Sequence, residues 1–169
     1  GWTNLERDNQ EKEVFETARA LKIPMAGICR GSQFLCAVNG GTLIQHLDNH
    51  HGSHRMLTHN GRNFVVSSTH HQLANPAALV EKELAKVLGW AYPRRSEVYF
   101  IGKPVSRSVG WHDPYSGTTH IDVEYEVVYY IESNSIGFQY HPEIMSEESE
   151  GFKYTAEMCE KHLGLKPEE

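Results

Sequence analysis

Apolar residues along this chain recur first with a helical period and then with an extended one, and the alternation outlines the architecture. Residues 1–10 are polar and read as a loop in which Asn4 or Asp8 can cap the helix after it. Over 11–22, Val14, Phe15, Ala18 and Leu21 fall on one helical face. Pro24 marks the change to an extended run over 23–28, apolar on both sides as in the buried middle of a parallel sheet. A second helix is expected over 31–38, with Phe34, Leu35 and Val38 facing inward and Asn39-Gly40-Gly41 ending it. Residues 42–47 read as a short strand, and 63–67 as another, entered through an Asn60-Gly61 turn. The stretch 76–90 is mixed: Ala78, Leu79, Glu81 and Lys82 look helical, while 86–91 looks extended. Prolines and glycines make 92–117 a long irregular connection around a short strand near 98–101. Strands over 126–131 and 136–140 flank a turn at 132–135. The last helix is expected over 147–163, with Phe152, Thr155, Met158, Cys159 and His162 on one stripe and Gly164 as its stop. No repeat or linker divides the chain, so one domain over 1–169 is expected.

Composition narrows the function classes. A chain of 169 residues, 39% hydrophobic and 22% charged, has enough apolar material for one sizeable core. The net charge of −6 and the lack of a basic cluster argue against a nucleic-acid or anionic-membrane partner. No run reaches transmembrane length. Cys29, Cys36 and Cys159 cannot all pair and lack zinc-finger spacing, which suits free thiols in a reducing, cytoplasmic compartment. His46, His50, His51, His54 and His59 form the densest histidine region. Their spacing fits no helix-face pair, and no acid or cysteine converges nearby in sequence. They read as a polar, partly exposed loop or hairpin, and no metal or other cofactor is expected.

One stretch carries candidate chemistry. The apolar run ends in Gly27-Ile28-Cys29-Arg30-Gly31, and a helical pattern begins at once, as in a nucleophile elbow. Glycines on each side suit a strained turn in which a Cβ would meet the neighbouring strand or helix. A helix N-terminus at Cys29 favours its thiolate. A cysteine nucleophile needs a base, and the base needs an orienting group. His141-Pro142-Glu143 at the end of a predicted strand supplies both, because residues two apart in extended backbone point the same way. Cys29, His141 and Glu143 are therefore the candidate catalytic residues.

The run from Gly27 to Gln33, Gly40-Gly41, Ser68-x-His70 and Gly137-Phe138-Gln139-Tyr140-His141-Pro142-Glu143 together resemble the class I glutamine amidotransferase superfamily. Cys29-Arg30-Gly31 and the run from Ser68 to Gln72 are most similar to its gamma-glutamyl hydrolase branch, which includes gamma-glutamyl-gamma-aminobutyrate hydrolase. The resemblance implies a flavodoxin-like, three-layer α/β/α sandwich with a mostly parallel central sheet and a Cys-His-Glu triad. It implies that Cys29 attacks the side-chain amide carbon of glutamine or a gamma-glutamyl compound, and that water then releases glutamate from a thioester. The Arg30 backbone N–H would supply half of the oxyanion hole. Gln33, Ser68 and His70 match positions expected to line the glutamate pocket, while the Arg30 side chain could be a structural ion pair. In the family, one or more strands and a Gly-rich loop precede the first helix, and that loop supplies the other oxyanion N–H. Here at most Gly1 remains of it, so the expectation is an N-terminally incomplete domain with an unfilled sheet position beside the elbow strand. The connection 92–122 is a candidate lid or partner surface. Three functions remain open: a stand-alone hydrolase of gamma-glutamyl amides, a glutaminase subunit handing ammonia to a synthetase partner, and a catalytically silent or metal-binding module.

Overall fold

The structure, a computed structural model, describes residues 5–96, 99–100 and 123–164. Helix α1 (Leu5–Ala20) leads to β1 (Met25–Ile28), which turns directly into α2 (Arg30–Val38). Short strands β2 (Thr42–Ile44) and β3 (His46–Leu47) precede a hairpin of β4 (His54–Thr58) and β5 (Asn63–Val66). Next come strand β6 (Leu73–Asn75), α3 (Ala77–Glu81), β7 (Ala85–Ala91) and β8 (Tyr99–Phe100). Strands β9 (Tyr125–Tyr130) and β10 (Ser135–Phe138) then lead to α4 (Glu150–Leu163).

Six strands form one sheet in the order β1-β10-β9-β7-β4-β5, while β2 pairs with β6 and β3 with β8. The sheet is mixed: β1 and β10 run parallel, and the β10–β9, β9–β7, β7–β4 and β4–β5 pairings are antiparallel. Successive residues of a strand face opposite sides, so one strand serves two cores. Val127 of β9 packs with Ile136, Phe138, Met56, Phe64 and the α4 residues Tyr154, Met158 and Leu163. Its neighbour Val128 packs with Phe15 of α1, Leu35 and Cys36 of α2 and Leu79 of α3. Helices therefore cover both faces, which is the expected three-layer α/β/α arrangement.

Several boundaries move from their sequence expectations, for identifiable reasons. Helix α1 already includes Leu5 to Gln10, because the polar residues there form helix-spaced and inter-helix pairs: Arg7 with Glu11, and Asp8 and Glu11 with Arg30. Asp8 thus pairs rather than caps, and Asn4 lies outside the described residues. Phe15 and Ala18 are buried as expected, but Val14 is 67% and Leu21 65% exposed. Strand β1 is not in the sheet's middle. Among the described residues it pairs only with β10, and Ile28 is 38% exposed. Beside that edge, an apolar groove of about 510 Å³ is lined by Val14, Phe15, Met25, Gly27, Phe34 and Leu35. In α4, Ser149 caps the start by accepting the Phe152 N–H, and Gly164 at φ +68° closes the end. Its buried stripe is Gly151, Tyr154, Met158 and Leu163, turned from the expected one because the Tyr154 hydroxyl donates to the Leu88 carbonyl. Most of the 92–122 connection lies outside the described residues, and of its expected strand only Tyr99–Phe100 is described, paired with β3. Among the described residues, no helix is long and apolar enough to cross a membrane.

The two apolar environments predict opposite mutational costs. Met158→Ala, which empties a fully buried position, is expected to lower stability by about 2–5 kcal/mol. Val14→Ala, at an exposed position that sequence periodicity assigns to the core, is expected to stay within about 0.5 kcal/mol. Urea unfolding of both variants measures the difference.

Candidate active site

The junction of β1 and α2 is built from backbone geometry before any side chain acts. Cys29 occupies the single turn residue between strand and helix at φ 49°, ψ −106°. A left-handed φ at a non-glycine residue costs on the order of 1–3 kcal/mol and persists only where surrounding contacts over-determine it. Here the Cys29 N–H donates to the Phe138 carbonyl at 2.7 Å, continuing the β1–β10 ladder. Its carbonyl accepts the first helical bond, from the Gln33 N–H at 3.1 Å. The chain thus turns from sheet to helix within one residue, with the thiol at the tip.

The two flanking glycines are not equivalent. A Cβ on Gly27 would lie 2.5 Å from the Gly31 backbone, so Gly27 is what lets α2 lie against β1. A Cβ on Gly31 would meet nothing within 4 Å, which corrects the expectation of a steric need there. On the next strand, Gly137 similarly leaves room for Ser32.

The histidine stands at the end of the neighbouring parallel strand. Gly27 pairs with Gly137 and Ile28 with Phe138, so Cys29 and His141 emerge from the same end of the sheet. The Ser67 hydroxyl donates to the His141 carbonyl at 2.6 Å and anchors its backbone. His141 Nδ1 is 2.7 Å from Glu143 Oε1. Because a carboxylate accepts, the proton sits on Nδ1 and leaves Nε2 with a free lone pair. Among the described residues, that buried Nε2 has no hydrogen-bond partner. The route by which Glu143 reaches the ring differs from expectation. Pro142 to Ile144 form a short 3-10 turn rather than extended backbone, with Pro142 at its first position, where the missing N–H costs no bond.

Burial pushes the Cys29 thiol above its ordinary value; the Arg30 backbone N–H works against this, and the charges of Glu143 and Glu126 add to it. The expected thiolate-favouring effect of the helix N-terminus is thus present but outweighed, and the resting group is a thiol. The Arg30 side chain points away from the elbow into an ion pair with Asp8 and Glu11 of α1. Gln33 donates to the Gln72 carbonyl at 2.9 Å and lies 3.5 Å from Gln139 Oε1. The Ser68 hydroxyl donates to the His50 carbonyl. His70 faces Glu126 in the interior. All three expected substrate-binding side chains are therefore buried and engaged inside the protein. Neither Cys29 nor His141 lines the apolar groove beside β1.

Two residues given no role by sequence reasoning are central to the region. Gln139 places its amide nitrogen 3.9 Å from the Cys29 sulfur, while its backbone N–H donates to the Glu126 carbonyl. Glu126 is a fully buried carboxylate. Burial raises its affinity for a proton, but the imidazoles of His54 and His70 outweigh that and hold it ionised, down to about 2. A charged residue within the otherwise apolar run Tyr125-Glu126-Val127-Val128 was the available signal for it.

Comparison with known proteins bears on the family and the fold. The family model of Peptidase C26 matches residues 1–92. No curated protein matches the chain. A glutamine amidotransferase from Thermotoga maritima superposes with a TM-score of 0.55 at 17% identity, over 95% of this chain and 62% of its own. A candidate GMP synthase component from Thermoplasma acidophilum does so with a TM-score of 0.52 at 12% identity, over 91% of this chain and 68% of its own. The chain therefore spans less than two thirds of the first structure's length, and at these identities the likeness is one of fold: an α/β fold of the glutamine amidotransferase kind.

Two outcomes test the elbow. Gly27→Ala is expected to lower stability by about 1–3 kcal/mol, because α2 must move, whereas Gly31→Ala stays within about 0.5 kcal/mol; urea unfolding compares them. Because the Cys29 thiol is raised, its thiolate fraction falls as pH falls below the ordinary cysteine range. Alkylation of Cys29 in the resting protein should climb through pH 8 and 9, and a plateau already reached by pH 7 would contradict the burial argument.

Proposed function

The chain belongs to the Peptidase C26 family, and from that premise we propose that it is a cysteine-dependent hydrolase of the class I glutamine amidotransferase kind, cleaving the gamma-glutamyl amide bond of glutamine or a gamma-glutamyl compound. One observation carries the reading. His141 has its Nδ1 proton engaged by Glu143 and, among the described residues, its Nε2 unpartnered, at the same sheet end as a cysteine held at positive φ.

Each group has a role that its surroundings suit. The Cys29 sulfur attacks the amide carbon while its proton passes to His141 Nε2. This base is needed because burial keeps the resting sulfur protonated. Glu143 fixes the tautomer and stabilises the imidazolium that forms. The Arg30 N–H, already directed at the sulfur, is the donor in this chain for the developing oxyanion. His141 then protonates the departing amine, and water attacks the thioester to release a gamma-carboxylate. Gln33, Ser68 and His70 contribute by shaping the pocket wall through buried hydrogen bonds. No step calls for a cofactor.

A second reading, favoured by the likeness to the candidate GMP synthase component, is a glutaminase that passes ammonia to a synthetase partner. Turnover of glutamine by the chain alone supports the hydrolase, and turnover only with a synthetase present supports the ammonia donor.

An electrophilic glutamine analogue tests the chemistry. It should label Cys29 alone: burial raises all three thiols, with Cys36 fully buried and pushed up to about 11, but only Cys29 shares a sheet end with the His141–Glu143 pair that can take its proton. Excess glutamine or a gamma-glutamyl amide should protect. His141→Ala should slow labelling and turnover by about 10²–10⁴-fold. Glu143→Gln should harm turnover more than labelling, because its role is to orient the base. Labelling spread over all three cysteines and indifferent to substrate would remove the enzyme reading.

A further inference from the structure

Behind the elbow, the fold assembles a group of side chains that take no part in the proposed chemical steps, His70 alone also backing the pocket wall. His50, His54, His70 and Glu126 are each at most 3% exposed. They come from the loop before β4, from β4 itself, from the segment after β5 and from β9. The distances centre on one carboxylate oxygen. Glu126 Oε1 lies 2.8 Å from His54 Nε2, 3.8 Å from His50 Nδ1 and 3.9 Å from His70 Nε2. Among the described residues, Nδ1 of His50, Nδ1 of His54, Nε2 of His70 and Oε2 of Glu126 lack a hydrogen-bond partner, and Nε2 of His50 has only the poorly aligned Glu124 carboxylate at 3.2 Å. A buried polar atom left unpaired costs on the order of 1–3 kcal/mol, so several in one cluster require an explanation.

Proton accounting supplies it for two of them, His50 Nδ1 and His70 Nε2. His70 Nδ1 lies 3.0 Å from the Gln72 carbonyl, which only accepts, so the proton is on Nδ1 and Nε2 presents a lone pair. His50 Nε2 lies 3.2 Å from Glu124 Oε2, a carboxylate oxygen, which places the His50 proton there and leaves a lone pair at Nδ1. The Glu126 carboxylate brings only acceptors. Lone pairs from His50, His70 and Glu126 thus converge, with ligand atoms all within 4.8 Å of one another. Glu126 Oε1 already accepts from His54 Nε2, so a water here would answer the two imidazole lone pairs alone, whereas a divalent cation takes both lone pairs and the carboxylate charge together.

We infer that His50, His70 and Glu126 form a binding site for a divalent first-row transition metal, with zinc the best fit. Two imidazoles and one carboxylate are a common set for that ion. Bonds of about 2.0–2.2 Å in a tetrahedral site put neighbouring ligand atoms about 3.4 Å apart. The carboxylate-to-imidazole separations of 3.8 and 3.9 Å close to that value with side-chain shifts of about half an ångström, and the two imidazole nitrogens, within 4.8 Å of each other, draw together around the ion. Each ligand also has the backing that metal ligands need: the Gln72 carbonyl behind His70, Glu124 behind His50 and His54 beside Glu126. The fourth position is open for water. Sequence spacing points the other way because the acid comes from β9, 72 residues beyond His54.

The test uses the chelator-stripped chain and Zn²⁺ alone, read by calorimetry and elemental analysis. One equivalent should bind, and Co²⁺ in its place should give the intense visible bands of a tetrahedral ion. His50→Ala and Glu126→Gln should each weaken uptake at least tenfold, while His51→Ala, at an exposed neighbour, should leave it unchanged. Cys29→Ala should also retain it, separating this site from metal held by the nucleophile. Should the buried variants fail to fold, zinc-edge X-ray absorption of the unmodified chain decides: two imidazoles and an oxygen ligand support the site. Sulfur ligation, the absence of stoichiometric uptake, or full uptake by folded Glu126→Gln overturns it.

Discussion

The rest of the site depends on the one-residue turn at Cys29, where the Phe138 carbonyl holds its N–H at 2.7 Å and α2 begins on its own carbonyl. Two opposed hydrogen-bonding demands, one from the sheet and one from the helix, leave no conformation for the residue between them except the strained one. The strain is offset by close packing that only small residues permit, with Gly27 against the Gly31 backbone and Gly137 against Ser32. Because β1 and β10 run parallel in fixed register, the same constraint that presents the thiol also decides where His141 emerges.

A buried polar layer extends back from that turn. Gln139 links the Cys29 sulfur to the Glu126 carbonyl, and the Glu126 side chain collects the imidazoles of His50, His54 and His70. Ser67 and Ser68 tie this layer to the His141 backbone and to the loop at His50. The residues that the resemblance assigns to a pocket wall are therefore also the residues that carry internal hydrogen bonds. Those positions carry framework bonds, and among the described residues Gln139 brings the framework to the Cys29 sulfur. The Arg30 side chain belongs to another part of the support, bridging α2 to α1 through Asp8 and Glu11. Exposed in part, such a bridge is worth little energy, but it fixes where the first helix lies.

Much of the candidate site was legible in sequence because its signals are local. Gly27 to Gly31 sets a strand-to-helix turn within five residues, and His141 to Glu143 sets an imidazole and the carboxylate bonded to it within three. The elements were legible for the same reason: α2, β5, α3, β7, β9 and β10 each fall near their apolar periods. Misjudgements occurred where a neighbour distant in sequence intervened. Val14 follows the helical period of Phe15 and Ala18, yet faces a groove, because nothing among the described residues covers that side of α1. The run before Cys29 is apolar on both sides, yet β1 is an edge strand among the described residues.

By itself, then, the sequence determined the elbow, the His-Pro-Glu turn, the layered α/β class and the family, since each rests on short-range patterns of backbone preference and side-chain type. Only the tertiary structure decided which strands are neighbours, which way they run, and what their buried polar side chains meet. The histidines show why. Read along the chain, His50 and His54 are members of a polar, partly exposed loop with no acid in reach. Folded, the β4–β7–β9 pairings carry them to Glu126, and the turn after β5 adds His70. A side chain's period records which face of its own element it occupies, but the partner across that face is chosen by strand order and register, and those are set by the burial of the whole sheet.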